Sequence, residues 1–195
     1  MISIETDRFG RTYQIWKQNQ MNSCAIASCW MARGIAKQQS FAEEEWEMAV
    51  RIFSASVANG VRSWGVDPNG PVSIDPSGQP NDQSSMASTL SNFGLFGMQV
   101  AAVMRGEGFQ VIHRTDTGVA RTVNAHRIAY NKPAILGVRW NGGGGHAVVA
   151  GRCTSAHLTI LDPWDGRHIV VTNNGQYSPR YGGTGVIREI VYISA

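Results

Sequence analysis

The rhythm of apolar residues changes near the middle of the chain. From Cys24 to Lys37 the segment CAIASCWMARGIAK sets Ile26, Cys29, Trp30 and then Arg33 or Ile35 at helical spacings among good helix formers. That pattern predicts one buried helix starting near Ser23. A second helix is predicted from Ser40, which forms a capping box with Glu43 and is followed by Trp46, Val50 and Phe53 along one face. It should end near Asn59-Gly60. From Asn59 to Ser85 the residues of turns dominate (Gly, Pro, Asn, Asp, Ser), so a long surface loop is expected, then a short helix around Ser85 to Phe93.

Past residue 95 the periodicity shortens. MQVAAVM, GFQVIHR, AILGVRW, HAVVAGRC, HLTILD, HIVVT and VIREIVYI are short apolar runs, most of them rich in β-branched residues, and read as strands. A helical pattern from Gly118 to Asn131, stopped by Pro133, interrupts them. Helices first and strands second describe an α+β fold with segregated lobes. The expectation is one domain over residues 1–195, with a helical lobe at about 15–95 and a β lobe at about 96–195. A chain of 195 residues can bury one substantial core.

Composition narrows the function classes. Hydrophobic residues at 43% against 16% charged exclude a disordered chain. The formal charge of +3 comes from scattered Lys and Arg without a basic run, so no nucleic-acid partner is expected. The N-terminal MISIETDRFGRTYQIW lacks the apolar core of a signal peptide, and no stretch approaches the roughly 18 apolar residues of a membrane span. A soluble protein without a membrane partner is expected. Three cysteines are too few, and odd in number, for a disulfide framework, which suits reduced thiols.

Three separated polar residues stand in apolar frames. Cys24 opens the first helix, where unpaired backbone N–H groups and the helix dipole favour a thiolate. His146 ends the tract Asn141-Gly142-Gly143-Gly144-Gly145 and leads into AVVAG, so its imidazole should sit at the mouth of a buried strand. Asp162 closes HLTILD before Pro163, where the chain must turn. With two adjacent antiparallel strands, the first residue of one faces the last of the next, which would set Asp162 beside His146. Asp165 is the rival carboxylate, and Cys29, in Ser-Cys-Trp, is the rival thiol. Gln18, six residues before Cys24, can join the Cys24 N–H as a donor to an oxyanion, with Gln14 and Gln20 as competitors. His113, His126, His157 and His168 carry weaker cues and read as surface or satisfied core residues.

Metal and phosphate chemistry fit poorly. Cys24, Cys29, Cys153 and His157 form no CxxC pair, no HxxxH pair exists, and Cys24 and Cys29 point to different helix faces. The glycine tract is followed by neither Lys-Ser nor Lys-Thr and leads into a strand rather than a helix. No cofactor and no metal are expected.

Gln18, five intervening residues, Cys24 at a helix start, a distant GGHAVVAG and then LDP together resemble the papain-like cysteine peptidase superfamily. The likeness is greatest to the bacterial branch of double-glycine leader peptidases and plant-pathogen effector proteases. It touches short motifs between residues 18 and 165 and departs at Ala25, where many relatives have Gly, and at Asp162, where the plant and lysosomal enzymes have Asn. The resemblance implies a helical lobe carrying Cys24, a β lobe carrying His146 and Asp162, and a cleft between them. It also implies a Cys24–His146–Asp162 triad with Gln18 in the oxyanion hole, acting on a protein or peptide. The motifs leave open a deamidase, acyltransferase or peptidoglycan amidase of the same fold, or a catalytically silent binding module. Without a visible signal or inhibitory segment, the expectation is an effector or toxin delivered into a target cell by a signal-independent route and restrained at home by a cognate inhibitor.

Overall fold

The computed structural model describes residues 1–18, 23–40, 42, 47–48, 98–115 and 121–195. Two strands open the chain, β1 (Ile2–Thr6) and β2 (Thr12–Trp16), paired as an antiparallel hairpin. Helix α1 (Cys24–Lys37) and helix α2 (Met98–Gly106) follow. Then come β3 (Gln110–Thr115), β4 (Ala134–Trp140), β5 (Gly145–Cys153), β6 (His157–Asp162), β7 (Arg167–Thr172), β8 (Gln176–Tyr177) and β9 (Gly185–Ser194). The last seven form one antiparallel sheet in the order β3-β9-β4-β5-β6-β7, with β8 also paired to β9. The fold is α+β, built on this large sheet.

Three expectations change. MQVAAVM, read as a strand, is α2: an apolar run of this length has no decisive period, and Val100, Ala101, Val103 and Met104 are buried at helical spacing. The helical pattern at 118–131 yields only a single 3₁₀ turn, Ala125–Arg127, among its described residues. Its backbone donors are taken elsewhere, Arg121 N–H by the Ile187 carbonyl and Val123 N–H by Asn173 Oδ1. The N-terminal hairpin was not expected, and it places Ile15 and Trp16 in a strand at the start of the predicted helical lobe. Of the second predicted helix, only Ser40, Ala42, Glu47 and Met48 are described, the last two helical. The 59–85 loop and the helix around 85–93 lie outside the described residues.

Apolar strands run without alternation because both faces of the sheet are covered. On one face α1, α2 and β2 pack over Ile135, Ala147, Val149, Leu161, Val191 and Ile193. On the other, Val123 and Tyr177 pack over Leu136, Val138, Val148, Ala150 and Ile160. α1 is buried nearly all round, with Trp30 set edge-on against Trp16 at 4.9 Å between ring centroids. An ion pair at 2.9 Å, Arg33 Nε to Glu107 Oε2, ties α1 to the residue after α2.

One irregularity sets the site's alignment. Strands β5 and β6 pair Cys153 with Leu158 and Arg152 with Thr159, then shift register so that Ala150 faces Ile160 and Val149 faces Leu161. The extra residue on β5 is Gly151, a β-bulge. One step further along, Asp162 falls across from Val148, on the face that His146 shares. An unbulged pair would bring it opposite Val149, on the α1 face. The first-against-last arrangement expected from the sequence is therefore replaced by a diagonal one, two residues apart on one face.

Gly151 has a second reason to be glycine, because a Cβ there would lie 2.6 Å from Tyr13 Cε1. Tyr13 is itself fixed by its hydroxyl donating to Asp7 Oδ2 at 3.1 Å. Gly151→Ala is expected to lower stability by about 1–3 kcal/mol, the range for overpacking a core. Urea unfolding of the variant against the native chain measures it, and an unchanged midpoint would remove Gly151 from this role.

Candidate active site

The N-terminus of α1 supplies the thiol. Ser23 occupies the cap position without a side-chain capping bond, the first turn holds no acidic residue, and the Ala27 N–H already reaches back to the Ser23 carbonyl. The N–H groups of the first turn, Cys24's own among them, have no intrahelical acceptor, so this end of the helix favours negative charge. Cys24 lies there, 8% exposed.

His146 comes from the start of β5 and Asp162 from the end of β6. Nε2 of the imidazole lies 2.7 Å from Asp162 Oδ1. An ionised carboxylate only accepts, so a proton is on Nε2, and Nδ1 is the ring nitrogen left over; the Cys24 side chain lies near enough to this imidazole to raise its pKa. The three predicted residues thus come together, His146 hydrogen-bonded to Asp162 and neighboured by Cys24. Burial alone would depress the His146 pKa, but the bonds and charges of Asp162 and Cys24 outweigh it and raise the value to about 9. Burial would raise that of Asp162, yet the hydrogen bond and charge of His146, with donors from Tyr177 and the Trp164 backbone, hold it below the usual carboxylate range.

Asp162 is completely buried and accepts from four donors. Oδ1 takes His146 and the Trp164 N–H at 2.8 Å; Oδ2 takes the hydroxyls of Tyr177 and, at 2.9 Å, Tyr181. The imidazole lies between two indoles, stacked on Trp140 at 5.7 Å and edge-on to Trp164 at 6.4 Å. Sequence reasoning missed all four aromatics. Trp140 precedes the glycine tract and Trp164 follows Asp162-Pro163, which are local hints; Tyr177 and Tyr181 carry no local signal.

The rivals separate on geometry. Asp165 Oδ1 accepts its near neighbour, the Arg167 N–H, at 3.0 Å, rather than any imidazole. Burial, helped by Glu107, pushes the Cys29 thiol up to about 12, and burial pushes Cys153 to about 11, so both stay protonated and unreactive near neutral pH. Gln14 donates to Ser40 Oγ at 2.6 Å, and Gln20 lies outside the described residues. His168 is bound to Glu5, His113 faces Glu189 at 4.0 Å, and His126 and His157 are exposed. Among the described residues, no group of three or more His, Cys, Asp or Glu side chains is placed to hold a metal ion.

Gln18 is buried and anchored to the same corner, its backbone N–H donating to the Pro163 carbonyl at 2.8 Å. The approach depends on Gly166, at φ +71°, where a Cβ would come within 2.8 Å of Lys17 Cβ. The Ser3 hydroxyl donates to the Gly166 carbonyl and stitches the hairpin to the same turn. The strand pair missed in the sequence is therefore what holds Gln18 against the Asp162 turn.

The charge state of the pair carries a stability signature. A histidine whose folded pKa is raised to about 9 adds stability that is fully present below its unfolded value of about 6.5 and lost as pH climbs through about 9. Asp162→Asn removes the main partner, so its destabilisation should be larger at about pH 6 than at about pH 10. Chemical unfolding at the two pH values checks this; a deficit that does not change with pH would mean that His146 is not protonated against Asp162.

No protein-family model matches the chain, and no curated protein is similar to it in sequence. Among solved structures, the crystal structure of the Pseudomonas avirulence protein AvrPphB is 11% identical, with 91% of this chain and 94% of that chain covered and a TM-score of 0.36. At that level the likeness carries no argument about chemistry, which has to come from this chain's own side chains.

Proposed function

We propose that this chain is a papain-like cysteine peptidase that hydrolyses peptide bonds of a protein substrate through Cys24, His146 and Asp162. The observation that carries the proposal is the grouping of a helix N-terminal thiol beside a buried imidazole that is itself hydrogen-bonded to a four-fold bonded carboxylate. A thiol at a helix N-terminus beside an imidazole that keeps its second proton up to about pH 9 is the arrangement of a cysteine nucleophile with its acid–base partner. In this reading α1 and the sheet form the two walls of the cleft.

The Cys24 sulfur attacks the scissile carbonyl carbon, and the oxyanion is met by the Cys24 N–H and the Gln18 side-chain amide. The tetrahedral species collapses as His146 gives its Nδ1 proton to the leaving amine, which leaves a thioester. Water then adds to the thioester while His146 takes its proton. Collapse releases the acid product and restores the thiolate and imidazolium. Asp162 remains ionised and holds the imidazole with Nδ1 toward the sulfur. Delivery of such a peptidase into another cell, and restraint by a cognate inhibitor in the producing cell, extend the same proposal.

Cys24→Ala and His146→Ala should abolish turnover with the fold retained. Asp162→Ala should be milder, because it orients the imidazole rather than exchanging protons. Gln18→Ala should cost about 10²–10³ in kcat, the usual effect of losing one oxyanion donor. Mass-spectrometric mapping of new protein termini in cells expressing the native chain or Cys24→Ala tests the cleavage and supplies a substrate on which the kcat of each of the four variants is measured. Termini that persist in Cys24→Ala would end the peptidase reading, and a gain of about one mass unit without new termini would assign the thiol to deamidation instead.

A further inference from the structure

Asp162 holds more donors than orientation of an imidazole requires. Two phenols converge on Oδ2, and phenylalanine rings would fill the same space without their hydroxyls. Tyr177, fully buried, comes from β8 and leans at 5.9 Å on Trp140, the indole stacked on His146. Tyr181, 41% exposed, comes from the turn before β9 and packs at 5.7 Å on Trp164, the second indole against His146. Each phenol therefore touches the carboxylate and one of the two indoles that hold the imidazole.

We propose that Tyr177 and Tyr181 act as a two-hydroxyl clamp that fixes the rotation of the Asp162 carboxylate and aims Oδ1 at His146, with Tyr181 as the member open to solvent. The clamp rests on the catalytic reading of Cys24 and His146, and both tyrosines are positioning residues that act through Asp162. The terminal torsion of an aspartate is broad and two-fold, so a carboxylate held through one oxygen can turn. With the two phenols on Oδ2, and Trp164 N–H and His146 on Oδ1, all four acceptor sites are filled. Protonation of Asp162 then requires the eviction of a donor. Burial and the Asp162 charge push both phenols above their ordinary pKa, so they remain donors through the working pH range. The other charged groups nearby are Asp165, whose own pKa is raised by burial and by the Asp162 charge, and Arg167 and Arg180, which pull it down.

The test uses ¹³C-carboxyl NMR of aspartate in the Cys24→Ala chain, where turnover plays no part, with and without Tyr181→Phe or Tyr177→Phe. Loss of one hydroxyl from a charged acceptor is expected to raise the Asp162 midpoint by about one pH unit. In the otherwise native chain, Tyr181→Phe should lower kcat about tenfold with KM unchanged and move the acid limb of the rate profile to higher pH. A carboxyl midpoint that stays in place in Tyr181→Phe overturns the clamp, as does a loss of rate with an unmoved pH profile. If Tyr177→Phe fails to fold, the half-exposed Tyr181 carries the test alone. If the native chain cleaves nothing but the midpoint shifts as expected, the peptidase reading falls and the clamp stands.

Discussion

A carboxylate with no access to water must have each lone pair met inside the protein, and Asp162 imposes that demand at the end of a central strand. Left unmet, it would cost several kcal/mol or take up a proton and cease to be a base partner. Its four donors come from the start of β5, the turn after β6, β8, and the turn before β9. Satisfying one buried charge therefore assembles the end of the sheet where the chemistry is proposed. The same corner anchors the chain just past β2, where the Gln18 N–H donates to the Pro163 carbonyl, which brings Gln18 into the assembly.

The imidazole is held in turn by two indoles and by its hydrogen bond to Asp162. Its raised pKa is the electrical counterpart of that arrangement: two neighbours favour its charged form more than burial opposes it. Cys29, one turn further along α1, illustrates the alternative. Surrounded by the apolar core and near Glu107, its thiol is driven to about 12 and is only a packing group. Two cysteines five residues apart on one helix have different neighbours, an imidazole beside Cys24 and apolar core with Glu107 around Cys29.

Alignment of the pair depends on a feature with no energy of its own to announce it. The Gly151 bulge shifts β5 by one residue against β6, and a one-residue shift exchanges the faces of a sheet. Without it, Asp162 would fall opposite Val149, toward α1, while His146 faced the other way. The glycine also admits the Tyr13 ring, so alignment of the site and packing of the N-terminal hairpin share one position.

Much of the frame was legible in the residues themselves. The buried helix from Cys24, six of the later strands, and the candidate trio follow from spacing, β-branched runs and the placement of single polar residues in apolar frames, because period and burial are local properties. MQVAAVM was misread because a seven-residue apolar run fits a buried strand and a buried helix equally well. The helical pattern near residues 118–131 lost to acceptors on Ile187 and Asn173, remote in sequence. The places of Tyr177 and Tyr181, the Gly151 bulge and the pairing of His146 with Asp162 rather than Asp165 arise only in three dimensions. The chain by itself set which residues could bear the chemistry, since that depends on side-chain type and local burial. Which of them meet was set by register and by the needs of a buried charge, and both are relations between segments that no local pattern encodes.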